Sequence, residues 1–322
     1  MKNTLAWLNA ALATKDIGAA MAHYRVAGGF ISATDGNITA SYPWRFGIDE
    51  FLVPGVEFEK ILKRMSGEPS ISIGKDNIKV KSGRLSGTIQ TLPLTDWGAP
   101  GVVDADWKKI PTGLIDLLKA LRPFTSDDPS RAATQCIALE NGYAYATNNV
   151  AIAGGKCEEL GSIMALLPVW AIDFLLGREE LLTEWSWNSN NVAFRWSNGA
   201  WMRSQLVIGQ FPEKAAALVR QAFDETPTQA VTDEFREAFK EVADLAEDTI
   251  LIYADRIESK FGKAEISGGA LCEVPEGGCS MWGARFLTPA LMAADSWSPS
   301  KWPFPAPWKG KLISGWVVGR KI

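Results

Sequence analysis

The sequence predicts an α+β protein built from three similar modules, each with two helices and small antiparallel sheets. Three observations lead there. A strand–proline–helix pattern recurs along the chain, runs of alternating apolar and polar residues follow it, and each third opens with an amphipathic helix. At 322 residues the chain is long enough for two or three domains at ~150 residues each.

The recurring pattern is FLVPGVEFEKILKRM at 51–65, ALLPVWAIDFLL at 165–176 and FLTPALMAADSW at 286–297. Its prolines, Pro54, Pro168 and Pro289, are placed to open helices, because the first turn of a helix has no use for the missing N–H. Residues 70–93 and 185–212 then alternate across turns at Asp76-Asn77 and Asn190-Asn191, the period of half-buried strands. The opening helices carry apolar stripes: Leu5, Leu8 and Leu12; Leu114, Leu117, Leu118 and Leu121; Phe235, Phe239 and Val242, with Thr232 or Asp233 as N-cap. A two-strand signal follows each helix, and KGKLISGWVVGRKI reads as a closing strand. The module boundaries fall at 1–101, 102–219 and 220–322. The Pro/Trp-rich stretch 296–310 is too rich in proline for a helix and reads as a rigid connection packed on the third module.

Composition narrows the function. With 47% hydrophobic and 22% charged residues the chain is globular, which excludes disordered and collagen-like classes. No apolar run reaches the ~18 residues of a membrane span. The opening MKNTLAWLNAALATKD reads as an amphipathic helix rather than a leader, since Asn9 interrupts its apolar run, and a cytoplasmic location is expected. The net charge of −4 argues against a uniformly basic coat, so nucleic-acid contact would need local basic faces. Cys136, Cys157, Cys272 and Cys279 lack metal-ligand spacing and His23 is the single histidine, so neither a zinc site nor a disulfide framework is expected. No phosphate-binding glycine loop occurs. The pairs Asp104/Asp106, Asp127/Asp128 and Glu179/Glu180 read as solvated carboxylates and His23 as a structural strand residue. No catalytic residue, metal or cofactor is expected.

The ordered repeat resembles the bacterial DNA polymerase sliding clamp, the beta-subunit type. The resemblance rests on FLVPGVEFEKILKRM and DNIKVKSGR in the first module. It continues with GYAYATNNVAIA, LLPVWAIDFL, SNNVAF and LVIGQFP in the second, and with RFLTPAL and WVVGRKI in the third. It implies a crescent of three clamp modules, two of which close head to tail into a ring around duplex DNA. The ring would act as a polymerase processivity factor, with DNA polymerase and clamp loader as partners through linear motifs. The compact, divergent chain suggests a bacteriophage version. Departures from the family bear on the peptide partner. ATNNVAI lacks the basic pair of ATDGHRL-like segments, Ala132 and Ala133 follow Arg131, and the terminal strand is one residue short.

Two surfaces follow from the resemblance. Helices lining the hole would offer loose, sequence-independent phosphate contacts from Lys60, Lys63, Arg64, Lys108, Lys109, Lys119, Arg122, Arg131, Arg236 and Lys240. Lys60, Lys63 and Arg64 share one helical face by their spacing, whereas Lys108, Lys109, Lys119 and Arg122 flank the second module's first helix. A hydrophobic peptide groove would be lined by Thr147, Val150, Ile152, Pro212, Ala217, Val317, Val318, Gly319 and Ile322. Read without the resemblance, the same residues suit a solvated face and sheet core. The competing functions are a structural phage protein of repeated modules and a small carboxylate-dependent hydrolase.

Overall fold

The structure, a computed structural model, describes residues 2–15, 18, 20–47, 50–98, 106–265, 272–275 and 278–321. Among them are seven α-helices: α1 (Lys2–Leu8), α2 (Gly55–Arg64), α3 (Leu114–Leu121), α4 (Val169–Leu176), α5 (Glu213–Asp224), α6 (Asp233–Ala243) and α7 (Ala284–Ala293). All strand pairs are antiparallel, so the class is α+β as expected. None of these helices is long and apolar enough to cross a membrane.

The chain forms two compact units, residues 1–110 with 170–206 and residues 111–169 with 207–322. Each holds one eight-stranded sheet and one small sheet. In the first unit the large sheet runs Phe51–Pro54, His23–Ala27, Phe30–Thr34, Ile38–Pro43, Trp201–Gln205, Asn191–Trp196, Leu182–Trp187, Lys108–Lys109. The small sheet comprises Ser70–Ile73, Asn77–Ser82 and Leu85–Gln90. In the second unit the large sheet runs Met164–Pro168, Cys136–Glu140, Tyr143–Thr147, Ala151–Lys156, Ser314–Val317, Ala306–Lys309, Ser296–Trp297, Gln229–Ala230. Its small sheet runs Lys263–Glu265, Arg256–Ser259, Thr249–Tyr253, Cys279–Gly283. Two pairings make the large sheets continuous: Ser41 opposite Trp201, and Ile152 opposite Trp316. Both large sheets therefore run across expected module boundaries, and the 219/220 boundary falls within α5.

The helices bury the stripes read from sequence. Leu114, Leu117, Leu118 and Leu121 of α3 are all buried, as are Phe235, Phe239 and Val242 of α6. Thr232 caps α6 by accepting the Phe235 N–H at 3.1 Å. In the first unit Trp7 stands edge-on to Tyr42, Phe174 and Trp196, with ring centroids 5.1–5.5 Å away.

Several local expectations change. Pro54 and Pro168 end strands immediately before α2 and α4, but Pro289 lies inside α7. The third copy of the pattern is Cys279–Gly283 followed by α7, so Gly283 holds the place of the first two prolines. Each two-strand signal proves to be three strands, because glycine and asparagine turns divide the runs at Gly28-Gly29 and Asn141-Gly142. The Pro/Trp-rich stretch is no mere connection: Ser296–Trp297 and Ala306–Lys309 are strands, and Trp297 and Trp308 are fully buried core.

Candidate peptide and DNA surfaces

The expected groove begins at the turn after Tyr143–Thr147. The Thr147 hydroxyl donates to the Ala151 carbonyl at 3.0 Å and accepts from the Asn149 N–H at 3.1 Å. The Asn148 carboxamide oxygen accepts from the N–H groups of Val150 and Ala151, at 3.1 and 2.8 Å. The first unit repeats this turn. Thr34 donates to the Ile38 carbonyl at 2.7 Å and accepts from Gly36, while Asp35 accepts from Asn37 and Ile38. Asn149 takes the left-handed conformation (φ 70°) that Gly36 takes (φ 92°). ATNNVAI thus folds like ATDGNIT.

Cross-strand register decides which side chains share a face, since partners opposite one another project to the same side. Thr147 opposes Ile152, and Ile152 opposes Trp316; Tyr145 opposes Gly154 in the next row. Helix α5 packs on this face. Tyr145, Ile152, Leu166, Phe211, Ala216 and Val219 form one buried cluster, with Trp316, Tyr143 and Phe223 half-buried against it. Gly154 permits the approach, because a Cβ there would come within 2.5 Å of a Val219 methyl. Three hydrogen bonds tie α5 down. Trp316 Nε1 donates to the Leu218 carbonyl (2.7 Å), Arg220 to the Tyr145 hydroxyl (3.3 Å) and Lys309 to the Phe223 carbonyl (2.9 Å). Burial raises the Tyr145 hydroxyl pKa against the opposing Arg220, and burial alone pushes the Cys136 thiol up to about 12.

The groove residues therefore separate. Val317 is 1% exposed and opposes Ala151, on the side of the sheet away from Ile152, so it is core rather than groove wall. Ile152 is roofed by the α5 cluster, and Thr147 is spent on its own turn. Gly319 lies under the Trp302 indole, where an added Cβ would fall 2.2 Å from Cδ1. Pro212 and Val318 are exposed, and Val150 and Ala217 are half-buried. Ile322 lies outside the described residues. Sequence reasoning missed Trp316 and α5. The spacing of Ala216, Val219 and Phe223 was the available signal for the helix.

The basic residues also divide. On α2 the apolar side, Phe58 and Leu62, is buried, and Lys60, Lys63 and Arg64 are exposed. Lys63 pairs with Glu59 at 2.8 Å, and Glu59 also accepts from the buried Tyr24 hydroxyl (2.7 Å) and from Asn9 (3.3 Å). Burial works against ionisation of Glu59, but the bonds from Lys63, Tyr24 and Asn9 outweigh it and hold its pKa below the ordinary value. Lys108 and Lys109 do not lie on a helix. They form an edge strand against Trp185 and Glu184, with the Lys108 ammonium 4.5 Å from the Trp187 ring centroid. On α3 Lys119 is exposed, while Arg122, just past the helix, donates to Thr125 at 2.8 Å. Arg131 and Lys240 are exposed. Arg236 is committed to its own fold, pairing with Asp233 (2.7 Å) and donating to the Ala294 carbonyl at the end of α7 (2.6 Å).

Three of the carboxylates noted in the sequence have structural partners: Asp106 lies 3.6 Å from the Lys108 ammonium. Glu180 accepts the Trp7 indole N–H at 3.1 Å, and Asp128 accepts from Ser130. Asp104 lies outside the described residues. His23 is buried in the strand opposite Pro54. Among the described residues no cluster of three or more His, Cys, Asp or Glu is placed to hold a metal, and the four cysteines are free thiols.

This arrangement is the fold of the bacterial DNA polymerase III beta sliding clamps, matched along the whole chain. The Helicobacter pylori beta clamp bound to a DNA ligase peptide superposes with a TM-score of 0.78 at 15% identity, over 100% of this chain and 97% of that one. The Pseudomonas aeruginosa DNA polymerase III subunit beta gives 0.77 at 15% identity with the same coverage. The Bacillus subtilis DNA polymerase sliding clamp gives 0.76 at 15%, again with the same coverage. No protein-family model matches the sequence, and no curated protein matches it. At such identities the likeness is one of fold.

Proposed function

We propose that this chain is a DNA sliding clamp, a non-enzymatic, cytoplasmic processivity factor that encircles duplex DNA and tethers replication proteins by short peptides. The observation that carries this reading is the full-length fold match, with nothing large left over in either chain. The repetition of the Thr34 turn at Thr147 supports it, because a repeated module is what a pseudo-symmetric ring requires. In this reading the modules are 1–101, 102–219 and 220–322. Two chains close head to tail, first module to third, into a homodimeric ring of six. The divergent sequence favours a bacteriophage origin.

The exposed cations Lys60, Lys63, Arg64, Lys119, Arg131 and Lys240 are the proposed phosphate contacts; Arg236 and Arg122 support the helices that carry them. Of the groove set, Val150, Pro212, Ala217 and Val318 are the residues proposed to touch a peptide. Sedimentation over a range of concentrations tests ring closure, the expected species having about twice the 35.1 kDa chain mass. A compact monomer at every concentration would count against a self-closing ring.

A further inference from the structure

One side of the large sheet of the first unit is packed under α1 and α4. Trp196 projects to that side, with the rings of Trp7 and Phe174 centred 5.1 and 6.2 Å away. Its neighbour Arg195 projects to the other side, since successive strand residues alternate. Cross-strand register sets the company of Arg195. Trp201, Arg195, Glu184 and Lys109 oppose one another in one row, and Arg203, Ala193 and Ser186 in the next. Trp107 joins the second row: it stands two residues before Lys109, and the Arg195 guanidinium lies 4.0 Å from its ring centroid.

The two rows make a shallow trough. Ala193 and Ser186 are small and buried, and form its floor. Trp201 and Trp107 are half-exposed on either side, with the half-exposed Arg195 between them; Arg203 is half-exposed and Lys109 fully so. Three cations thus stand against one carboxylate, Glu184, which Arg195 engages at 3.0 Å. Asp106 is nearest on the chain, but it lies by Lys108, whose strand partner Trp185 is buried on the packed side. This is a local positive excess on a chain of net charge −4.

Indole faces alternating with cations suit one kind of partner. A single strand of nucleic acid offers unpaired bases to stack and phosphates to neutralise in the same short span. A duplex keeps its bases inside, where an indole on a sheet cannot reach them. An acidic peptide would use the cations and leave the indoles idle. We propose that Trp107, Trp201, Arg195, Arg203 and Lys109 form a binding face for single-stranded nucleic acid. The face takes in Lys109, which the structure removes from the helices, and it stands independently of the clamp reading. Its contacts come from strands, on the side of the sheet away from α1 and α4.

The test uses the full chain and a fluorescein-labelled run of sixteen thymidylates, read by anisotropy at low salt. The probe should bind saturably. Trp107→Ser, outside the regular strands, and Trp201→Thr should each weaken it about tenfold, the usual loss for one stacked base. Lys109→Glu, on an exposed side chain that the fold does not need, should weaken it and lower the slope of log affinity against log salt by about 0.7. Lys263→Glu, on the small sheet of the second unit, should leave it unchanged. Unlabelled thymidylate should displace the probe at least roughly tenfold better than a glutamate peptide of equal length. Absence of saturable binding overturns the inference, as does equal affinity in Lys109→Glu and the unmutated chain. Equal displacement by the glutamate peptide also overturns it, since the face would then read charge alone. Thermal melting of each variant identifies any loss that comes from unfolding, and Lys109→Glu keeps the test decisive if a tryptophan variant fails to fold.

Discussion

Trp316 donates its indole N–H to the carbonyl oxygen of Leu218 at 2.7 Å, latching the last strand of the second unit to helix α5. The carbonyl lies in the body of α5, and its second lone pair accepts the indole N–H. Trp316 is thereby fixed over Ile152, on the apolar face that the resemblance assigned to a peptide. The helix that roofs this face belongs to the chain itself.

Trp316→Phe keeps an aromatic ring on the cluster but removes the donor and the pyrrole half of the indole. It should lower unfolding free energy by at least about 1 kcal/mol, the usual worth of one hydrogen bond, with the lost contact adding to it. Amide exchange in residues 213–224 should accelerate while exchange in α6 stays as it was. Unchanged exchange in α5 would mean that the latch does not hold the helix.

Arg236→Ala and Lys60→Ala should separate structure from DNA binding. Arg236 bonds the Ala294 carbonyl and Asp233, so its loss should cost about 1–2 kcal/mol of stability. Lys60 is exposed on α2, so Lys60→Ala should leave stability alone and reduce the slope of log affinity against log salt by about 0.9. Titration of duplex DNA at several salt concentrations, alongside urea melts, reads both effects. The opposite assignment would place Arg236 on the DNA.

Glu59 sets a pH dependence. Its folded pKa lies below the ordinary 4.5, so the ionised carboxylate contributes stability above that value, and the contribution is lost as pH falls through the depressed one. Glu59→Gln should flatten this acid limb of the stability curve. The same change removes one carboxylate charge 2.8 Å from the Lys63 ammonium and should strengthen DNA binding about twofold at low salt. An acid limb of equal steepness in the variant would remove Glu59 from the account.

Gly154→Val tests the seat of α5. A Cβ at this position would fall 2.5 Å from a Val219 methyl and 2.8 Å from the Ala144 carbonyl, so neither sheet nor helix can yield cheaply. A loss of about 2 kcal/mol or more is expected from overpacking, read by thermal melting. A neutral result would mean that α5 can lift from the sheet.

Legibility in the sequence followed repetition. Pro54 and Pro168, the buried leucines of α3 and the Thr232 cap could be read because each is a local signal with a local cause. Proline marks a helix start in the first two copies only; in the third, α7 starts at Ala284 after Gly283 and Pro289 lies inside it. Helix α5 escaped notice although its apolar spacing was visible, since the first copy offers only a short turn at Leu94–Asp96 after its Leu92-Pro93 segment. The sequence reading assigns Val317 to the groove and is silent on Trp316, because strand faces depend on register. Only the Ile152–Trp316 pairing decides which residue joins α5 and which is buried behind the sheet. Likewise Lys63, Arg122 and Arg236 are alike as sequence cations, and only their partners at 2.6–2.8 Å distinguish them.

The most direct measurement of the central claim is topological. The protein is loaded onto nicked circular DNA in a bacterial extract with ATP, isolated by gel filtration at moderate salt, and the DNA is then cut once. A closed ring predicts that the protein travels with the circle and leaves when the circle becomes linear, while blocking the linear ends retains it. Equal dissociation from circular and linear DNA, or retention that a single cut does not release, would contradict encirclement.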